Sequence, residues 1–145
     1  MRWQLPALAA SVAGLGVSIY LTVVHYSSIP LACPATAQIN CEQVLSSAYG
    51  VIVGSGIPTS AAGIVWFAMS AALAAGRLAG RAGLGRAQLA WSAVGLVTAL
   101  FLVYIEIVRL GAVCIWCSTA HALVLLIFLI SLISMPGSRV DRVRS

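Results

Sequence analysis

Residues 112–135 read AVCIWCSTAHALVLLIFLISLISM. The stretch carries no charge, and none occurs anywhere between Arg109 and Arg139. A membrane-spanning helix needs about 20 predominantly apolar residues, so this run is long enough to cross a bilayer. The same pattern recurs on moving outward: no charge falls between Arg86 and Glu106, between Glu42 and Arg77, or between Arg2 and Glu42. The spacing predicts four spans, roughly 5–26, 58–77, 88–108 and 112–135. The runs are long, rich in Leu and Ala, and lack the alternation of a membrane β-barrel. Helices also satisfy every backbone polar group within the segment, as lipid demands. The expected fold class is an all-α integral membrane protein, a four-helix bundle.

Composition agrees. Of 145 residues, 61% are hydrophobic and 8% charged, against about 25% charged in soluble domains. Mean hydropathy is +1.05. These values exclude an ordinary soluble domain, a disordered tail and a small disulfide-rich scaffold. The net charge of +5 comes from eight Arg scattered along the chain, not clustered among aromatics as a nucleic-acid binder requires. The expected partner of this basicity is the lipid bilayer, not nucleic acid. Arg2, then Arg77, Arg81 and Arg86, then Arg139, Arg142 and Arg144 all fall on one side of four spans, and only Arg109 on the other. The positive-inside rule makes the first side cytoplasmic, with both termini there. The first run is too long for a signal-peptide core, and Pro is a poor residue in the lipoprotein-like Pro30-Leu31-Ala32-Cys33. The reading is one uncleaved domain over 1–145 in the cell (inner or cytoplasmic) membrane, with a long exterior loop at 27–57. Loops of such length are often functional.

All four cysteines fall at that exterior side: Cys33 and Cys41 in the loop, Cys114 and Cys117 at the start of the fourth span. Cysteines serving only as small buried hydrophobes would scatter through the spans. Outside the cytoplasm disulfides persist. Three pairings are possible, the simplest being Cys33–Cys41 with Cys114–Cys117. A C-x-x-C at a helix start places its thiols near unsatisfied N–H groups that stabilise a thiolate, which makes a good leaving group and a poor structural staple. Redox chemistry is therefore favoured over an all-cysteine zinc site, and no metal is expected. Asn40 can cap a short helix from Cys41 to about Ala48, with Gln43 in the reciprocal position and Gly50 as its stop. Cys41, Val44, Leu45 and Ala48 then share a face, giving a half-helix lid at the bundle mouth. Pro30 and Pro34 flank a more mobile arm holding Cys33.

His121 follows Cys117 by four residues, on the same helix face about one turn into the membrane. An ionisable residue at that depth is a functional candidate, here as hydrogen-bond donor or proton carrier to a quinone. Glu106 and Arg109, three apart, read as a mostly structural pair. His25 reads as interfacial. Trp66, with Phe67, Trp91 and Tyr104, reads as pocket wall or packing. Ala10/Gly14 and Ala72/Gly76 are small-x3-small pairs suited to close helix packing.

The order of these elements resembles the vitamin K epoxide reductase family, in its bacterial disulfide-generating branch. It comprises a helix, Cys33-x7-Cys41, Val44-Leu45-Ser46-Ser47, two helices, and Val113-Cys-Ile-Trp-Cys-Ser-Thr-Ala-His121 opening the last. The resemblance implies a four-helix bundle around a quinone with an exterior half-helix lid. It implies that Cys114 and Cys117 form the disulfide beside the quinone, Cys117 touching the ring and Cys114 exchanging with the loop. Cys33 and Cys41 resemble the shuttle pair that takes electrons from a thioredoxin-like partner, and Ser47 the lid serine. Thr59 stands where the vertebrate enzymes have a hydrogen-bonding Asn, and His121 where they have a Tyr, which points to a respiratory quinone (ubiquinone or menaquinone type) rather than vitamin K epoxide. The disulfide-bond formation protein B family does the same chemistry with the two cysteine pairs in the reverse order.

The expected function is thus a quinone-dependent thiol-disulfide oxidoreductase supporting disulfide-bond formation. The catalytic candidates are Cys33, Cys41, Cys114 and Cys117. Cys117, His121, Ser47, Thr59 and Trp66 are expected around the quinone. The partner is a separate periplasmic or extracellular thioredoxin-like protein. The alternative is a non-catalytic four-helix membrane subunit with structural disulfides.

Overall fold

The computed structural model describes residues 2–34, 36–81 and 83–135. Arg139, Arg142 and Arg144 lie outside them. Helix α1 runs Gln4–Ser27, α2 Cys41–Leu45, α3 Thr59–Leu78, α4 Leu84–Tyr104 and α5 Ile115–Ile133. A π-helical turn, Ile105–Leu110, continues α4. Counted with that turn, α4 joins α1, α3 and α5 as the four helices long and apolar enough to cross a membrane. The all-α membrane bundle is therefore what the chain forms.

Local chemistry sets the helix ends. Pro6 sits in the first turn of α1, where its missing N–H costs nothing. Pro58, with extended ψ, immediately precedes α3. After α3, Gly80 takes φ +86°. The Gly80 amide donates to Arg77 O and the Arg81 amide to Gly76 O, the paired bonds of a Schellman turn that only a residue tolerant of positive φ can close. This tight turn lets α4 begin at Leu84, ahead of the 88 expected, so Arg86 lies on the helix rather than in the turn. At the other end α5 starts at Ile115 rather than 112, because Cys114 is extended and serves as its cap.

Helix α1 packs against both α3 and α5, and α4 against α5 and α3. Between apolar helices in lipid, van der Waals contact rather than water exclusion drives association, so small residues at the crossings allow close approach. Gly14 of α1 lies directly against the Phe67 ring, and Gly95 of α4 against the Trp66 indole. Ala10 with Gly14 therefore packs inside the bundle. Phe67, Ala10, Ala99, Val124 and Ile127 form the central core. Val12, Val65, Val97 and Leu126 point outward from it.

The two ends of the bundle differ. At the end away from the cysteines, Arg77 donates to Gln88 Oε1 (2.9 Å), Ser134 Oγ (3.0 Å) and Ser134 O (2.9 Å), and Gln4 Nε2 donates to Ser134 Oγ (3.2 Å). One guanidinium thereby ties α3 to α4 and to the end of α5. At the cysteine end the loop folds back over the bundle. The Val113 amide donates to Gln38 O (2.9 Å) and the Asn40 amide to Val113 O (3.2 Å), pairing residues on either side of Ile39 with the strand-like segment before Cys114.

Candidate active site

The loop lid is built from Asn40 onward. The Asn40 side chain accepts the Gln43 amide at 3.1 Å, as a cap should. The reciprocal half of the capping box does not form, because the Asn40 amide donates to Val113 O at 3.2 Å instead, while Gln43 Nε2 donates to Leu110 O at 3.3 Å. That carbonyl is left open where the π turn ends, and satisfying it anchors the lid to the bundle. The lid helix stops at Leu45, short of the expected Ala48. Cys41 and Val44 face inward, Leu45 is half-buried, and Ala48 is exposed.

Cys33 and Cys41 are joined in a disulfide, with Cα atoms 6.3 Å apart. The arm bearing Cys33, expected to be mobile, is held at Ala32 by two hydrogen bonds. The Ala32 amide donates to the Tyr20 hydroxyl (3.2 Å), and Trp116 Nε1 donates to Ala32 O (2.8 Å). The Tyr20 and Trp116 rings pack with centroids 4.9 Å apart. Cys33 is half-buried, while Cys41 is 2% exposed and belongs to one apolar cluster with Val44, Ala112 and Cys114, with Cys117 and Trp116 against it.

Cys114 and Cys117 are free thiols, so the second of the simplest pairings is not formed in this structure. Cys114 is fully buried, and its sulfur accepts the Cys117 amide at 3.3 Å. The hydrogen bond from the Cys117 side chain, helped by this amide, holds the Cys114 thiol below its ordinary range. Burial and the nearby Glu106 charge oppose that shift without reversing it. Of the two thiols, Cys117 faces the cavity beneath the lid.

That cavity measures about 270 Å³, near the lower end of small-molecule pockets. Ser47, Thr59, Trp66, Cys117 and His121, all five positions named from the sequence, line it. Val44 and Leu45 close it from the lid, and Phe67, Ala99 and Leu102 supply apolar wall. The hydroxyls are engaged elsewhere: Ser47 Oγ donates to Val44 O (2.7 Å) and Thr59 Oγ1 to Tyr49 O (2.9 Å). Trp66 Nε1 donates to Trp91 O (3.3 Å), and Trp91 Nε1 to Trp66 O (3.2 Å), so Trp66 presents ring surface rather than a polar atom. His121 differs from these. Its Nδ1 is buried without a hydrogen-bond partner among the described residues.

Glu106 departs most from expectation. It forms no ion pair with Arg109, which is exposed. It is 5% exposed and lines the cavity. Its Oε2 accepts the Cys114 amide at 3.2 Å, and its Oε1 lies 3.9 Å from His121 Nδ1. The π turn causes this: the Gly111 amide reaches back five residues to Glu106 O, and the wider winding brings Ile105 and Glu106 together to the inner face. The sequence signal was the lone carboxylate within an apolar run, outweighed by the nearby Arg.

The Vitamin K epoxide reductase family model matches residues 5–132, and the chain belongs to that family. No curated protein matches the chain. Membership makes this a multi-pass membrane protein and an oxidoreductase of the disulfide–quinone kind. A quinone ring fits the site's chemistry: apolar walls flank it, and His121, whose Nδ1 is buried without a hydrogen-bond partner, lines the cavity beside Cys117.

Proposed function

We propose that this single-domain protein oxidises a separate thioredoxin-like thiol protein through two cysteine pairs in series and delivers the electrons to a quinone of the ubiquinone or menaquinone type. The observation carrying this reading is the graded burial of four sulfurs in one cluster. Cys33 is half-buried at its rim, Cys41 and Cys114 are enclosed at its centre, and Cys117 opens on the cavity.

Accessibility sets the order. A partner thiolate attacks Cys33, the reachable sulfur of the loop disulfide, and Cys41 leaves as thiolate. The partner's second thiol releases itself as a disulfide, leaving Cys33 and Cys41 reduced. Cys41 then attacks Cys114 of an oxidised Cys114–Cys117 pair, and Cys117 leaves. Cys33 attacks Cys41, which restores the loop disulfide and frees Cys114. Each exchange moves one electron pair and needs a thiolate nucleophile and a good leaving thiol. The depressed titration of Cys114 suits the last departure. A bound quinone supplies an acceptor for two electrons and two protons. Cys117 faces the cavity that would hold it, Trp66 and Phe67 would supply its walls, and His121 would offer it a hydrogen bond. Ser47 and Thr59 support the lid and the 50–59 loop through their backbone bonds.

Arg77 and Arg81 gather at the end away from the cysteines, which supports a cytoplasmic placement for that end. The cysteines then face the periplasm or exterior of the cell membrane, where the partner is found.

The test is quinone reduction by the detergent-purified protein with a reduced thioredoxin-like donor. Wild type is expected to turn over and Cys117→Ala to be inactive. Equal rates, or none in either, would overturn the reading in favour of a membrane subunit stapled by disulfides.

A further inference from the structure

The carboxylate at position 106 is the only acidic side chain buried among the described residues, and the relay above makes no use of it. Burying a charge-bearing group near lipid is costly unless it is hydrogen-bonded or paired. Glu106 has two neighbours at distances that differ in kind. Oε2 accepts the Cys114 amide at 3.2 Å, a formed bond. Oε1 stands 3.9 Å from His121 Nδ1, within ion-pair range yet longer than a hydrogen bond. The imidazole nitrogen facing it is also unsatisfied. An unpartnered ring nitrogen and a carboxylate oxygen therefore face each other, 3.9 Å apart.

We propose that Glu106 is the positioning residue of a carboxylate–imidazole pair that fixes the tautomer of His121 and lets its other nitrogen carry a proton between Cys117 and the cavity. The assignment rests on the relay described above. The nitrogen that carries the proton in a histidine is set by what the other nitrogen bonds. With Nδ1–H directed at Glu106, Nε2 is left as the base. It accepts the proton released by Cys117, one turn earlier on the same face of α5, and returns it to the cavity. Oxidation of the dithiol to the Cys114–Cys117 disulfide releases two electrons and two protons, both pairs taken by the quinone, so a proton carrier beside Cys117 keeps charge from accumulating in a mostly apolar site. The same carboxylate holds the Cys114 amide, so one side chain positions both the turn that bears the Cys114–Cys117 pair and the proton carrier.

The neighbouring groups leave this pair isolated. From α5, Cys114, Cys117 and His121 face it. The lid contributes Cys41, bonded to Cys33, and Glu42, which is exposed. On its own turn Arg109 is exposed. No cation among these stands in for His121 as its partner.

The experiment uses the quinone-free protein, so its outcome is independent of turnover. Nitrogen-15 NMR of His121 is recorded against pH in wild type, Glu106→Gln and Glu106→Asp. The Gln variant keeps an oxygen for the Cys114 amide and removes the charge. Wild type is expected to show the Nδ1–H tautomer, and the Gln variant to lose that preference and titrate His121 at lower pH. The Asp variant is expected to recover part of both. In turnover assays the Gln variant should lose at least tenfold in kcat with KM for the thiol partner little changed, and its pH profile should flatten. If Glu106→Gln does not fold, His121→Gln in the wild-type background is followed by infrared spectroscopy of the Glu106 carboxylate, whose ionisation should change when its partner is removed. An unchanged His121 tautomer and titration in Glu106→Gln, or an unchanged carboxylate band in His121→Gln, overturns the proposal even if quinone reduction proceeds. Normal NMR behaviour without any quinone reduction would instead count against the relay.

Discussion

The Asn40 amide donates a 3.2 Å hydrogen bond to the carbonyl of Val113, joining the residue before Cys41 to the residue before Cys114. With the Val113 amide on Gln38 O at 2.9 Å, this makes a one-rung parallel bridge between the loop and the start of the last helix. Two cysteines that begin separate helices are thereby held in one cluster.

A variant keeping only this pair, Cys33→Ser with Cys117→Ser, should form a Cys41–Cys114 disulfide in high yield under mild oxidation, read by mass spectrometry of peptides. The reciprocal variant, Cys41→Ser with Cys114→Ser, should cross-link poorly. Adding Val113→Pro removes the donor to Gln38. A net hydrogen bond is worth about 1 kcal/mol, so the Cys41–Cys114 cross-link should form roughly fivefold more slowly. Equal cross-linking of both pairs would contradict the graded cluster.

The pH behaviour of Cys114 follows from its surroundings. Its thiol is held below the ordinary range, chiefly by the Cys117 side chain. A depressed thiol value means more thiolate at neutral pH, lost as pH falls through the lowered value. In a Cys33→Ser, Cys41→Ser background, ultraviolet thiolate absorbance should show one group titrating below the usual thiol range. Adding Cys117→Ala should move that midpoint upward. A downward move, or none, would refute the assigned cause.

Helix packing offers a contrast of two glycines. A side chain at Gly95 would collide with the Trp66 indole, whereas Gly16 has open space beside it. Gly95→Val should destabilise by about 1–3 kcal/mol through overpacking and disturb the cavity wall that Trp66 forms. Gly16→Ala should be neutral or stabilising by up to about 1 kcal/mol, since it favours helix. Thermal unfolding in detergent distinguishes them.

At the far end, Arg77→Met would leave Gln88 Oε1 and Ser134 O without this donor, while Ser134 Oγ keeps Gln4 Nε2. Gln88 is buried, and an unsatisfied buried group costs about 1–3 kcal/mol, so a clear fall in melting temperature is expected. The Cys41–Cys114 cross-linking yield should stay unchanged, because the bundle's opposite end holds that pair. Arg77→Lys should recover only part of the stability, since an ammonium cannot reproduce the guanidinium fork.

Much of this was legible in the chain. The spans are local signals, runs without charge long enough for lipid, and the observed helices fall on them to within a few residues. Asn40 as a cap is equally local, because its side chain needs only the amide three residues on. Of the cavity-lining positions, His121 followed from its spacing after Cys117, whereas Ser47 and Thr59 followed from the family resemblance. The reciprocal Gln43 bond failed for a tertiary reason: the Val113 carbonyl, distant in sequence, took the Asn40 amide that the Gln43 side chain would have accepted. The lid helix ended at Leu45, and Ala48 lay outside it.

Glu106 shows the limit most clearly. Three residues from Arg109, it has the spacing of a surface pair on an α-helix, and its inward position depends on one widened turn. By itself the sequence determined what each stretch must be in a bilayer and which side chains are candidates for redox chemistry, because hydropathy, capping and thiol chemistry act over a few residues. Only the tertiary structure decided which sulfur is reachable, which is enclosed, and which carboxylate faces the imidazole. Those relations come from backbone pairing across 74 positions between Ile39 and Val113, and from helix packing that no local pattern encodes.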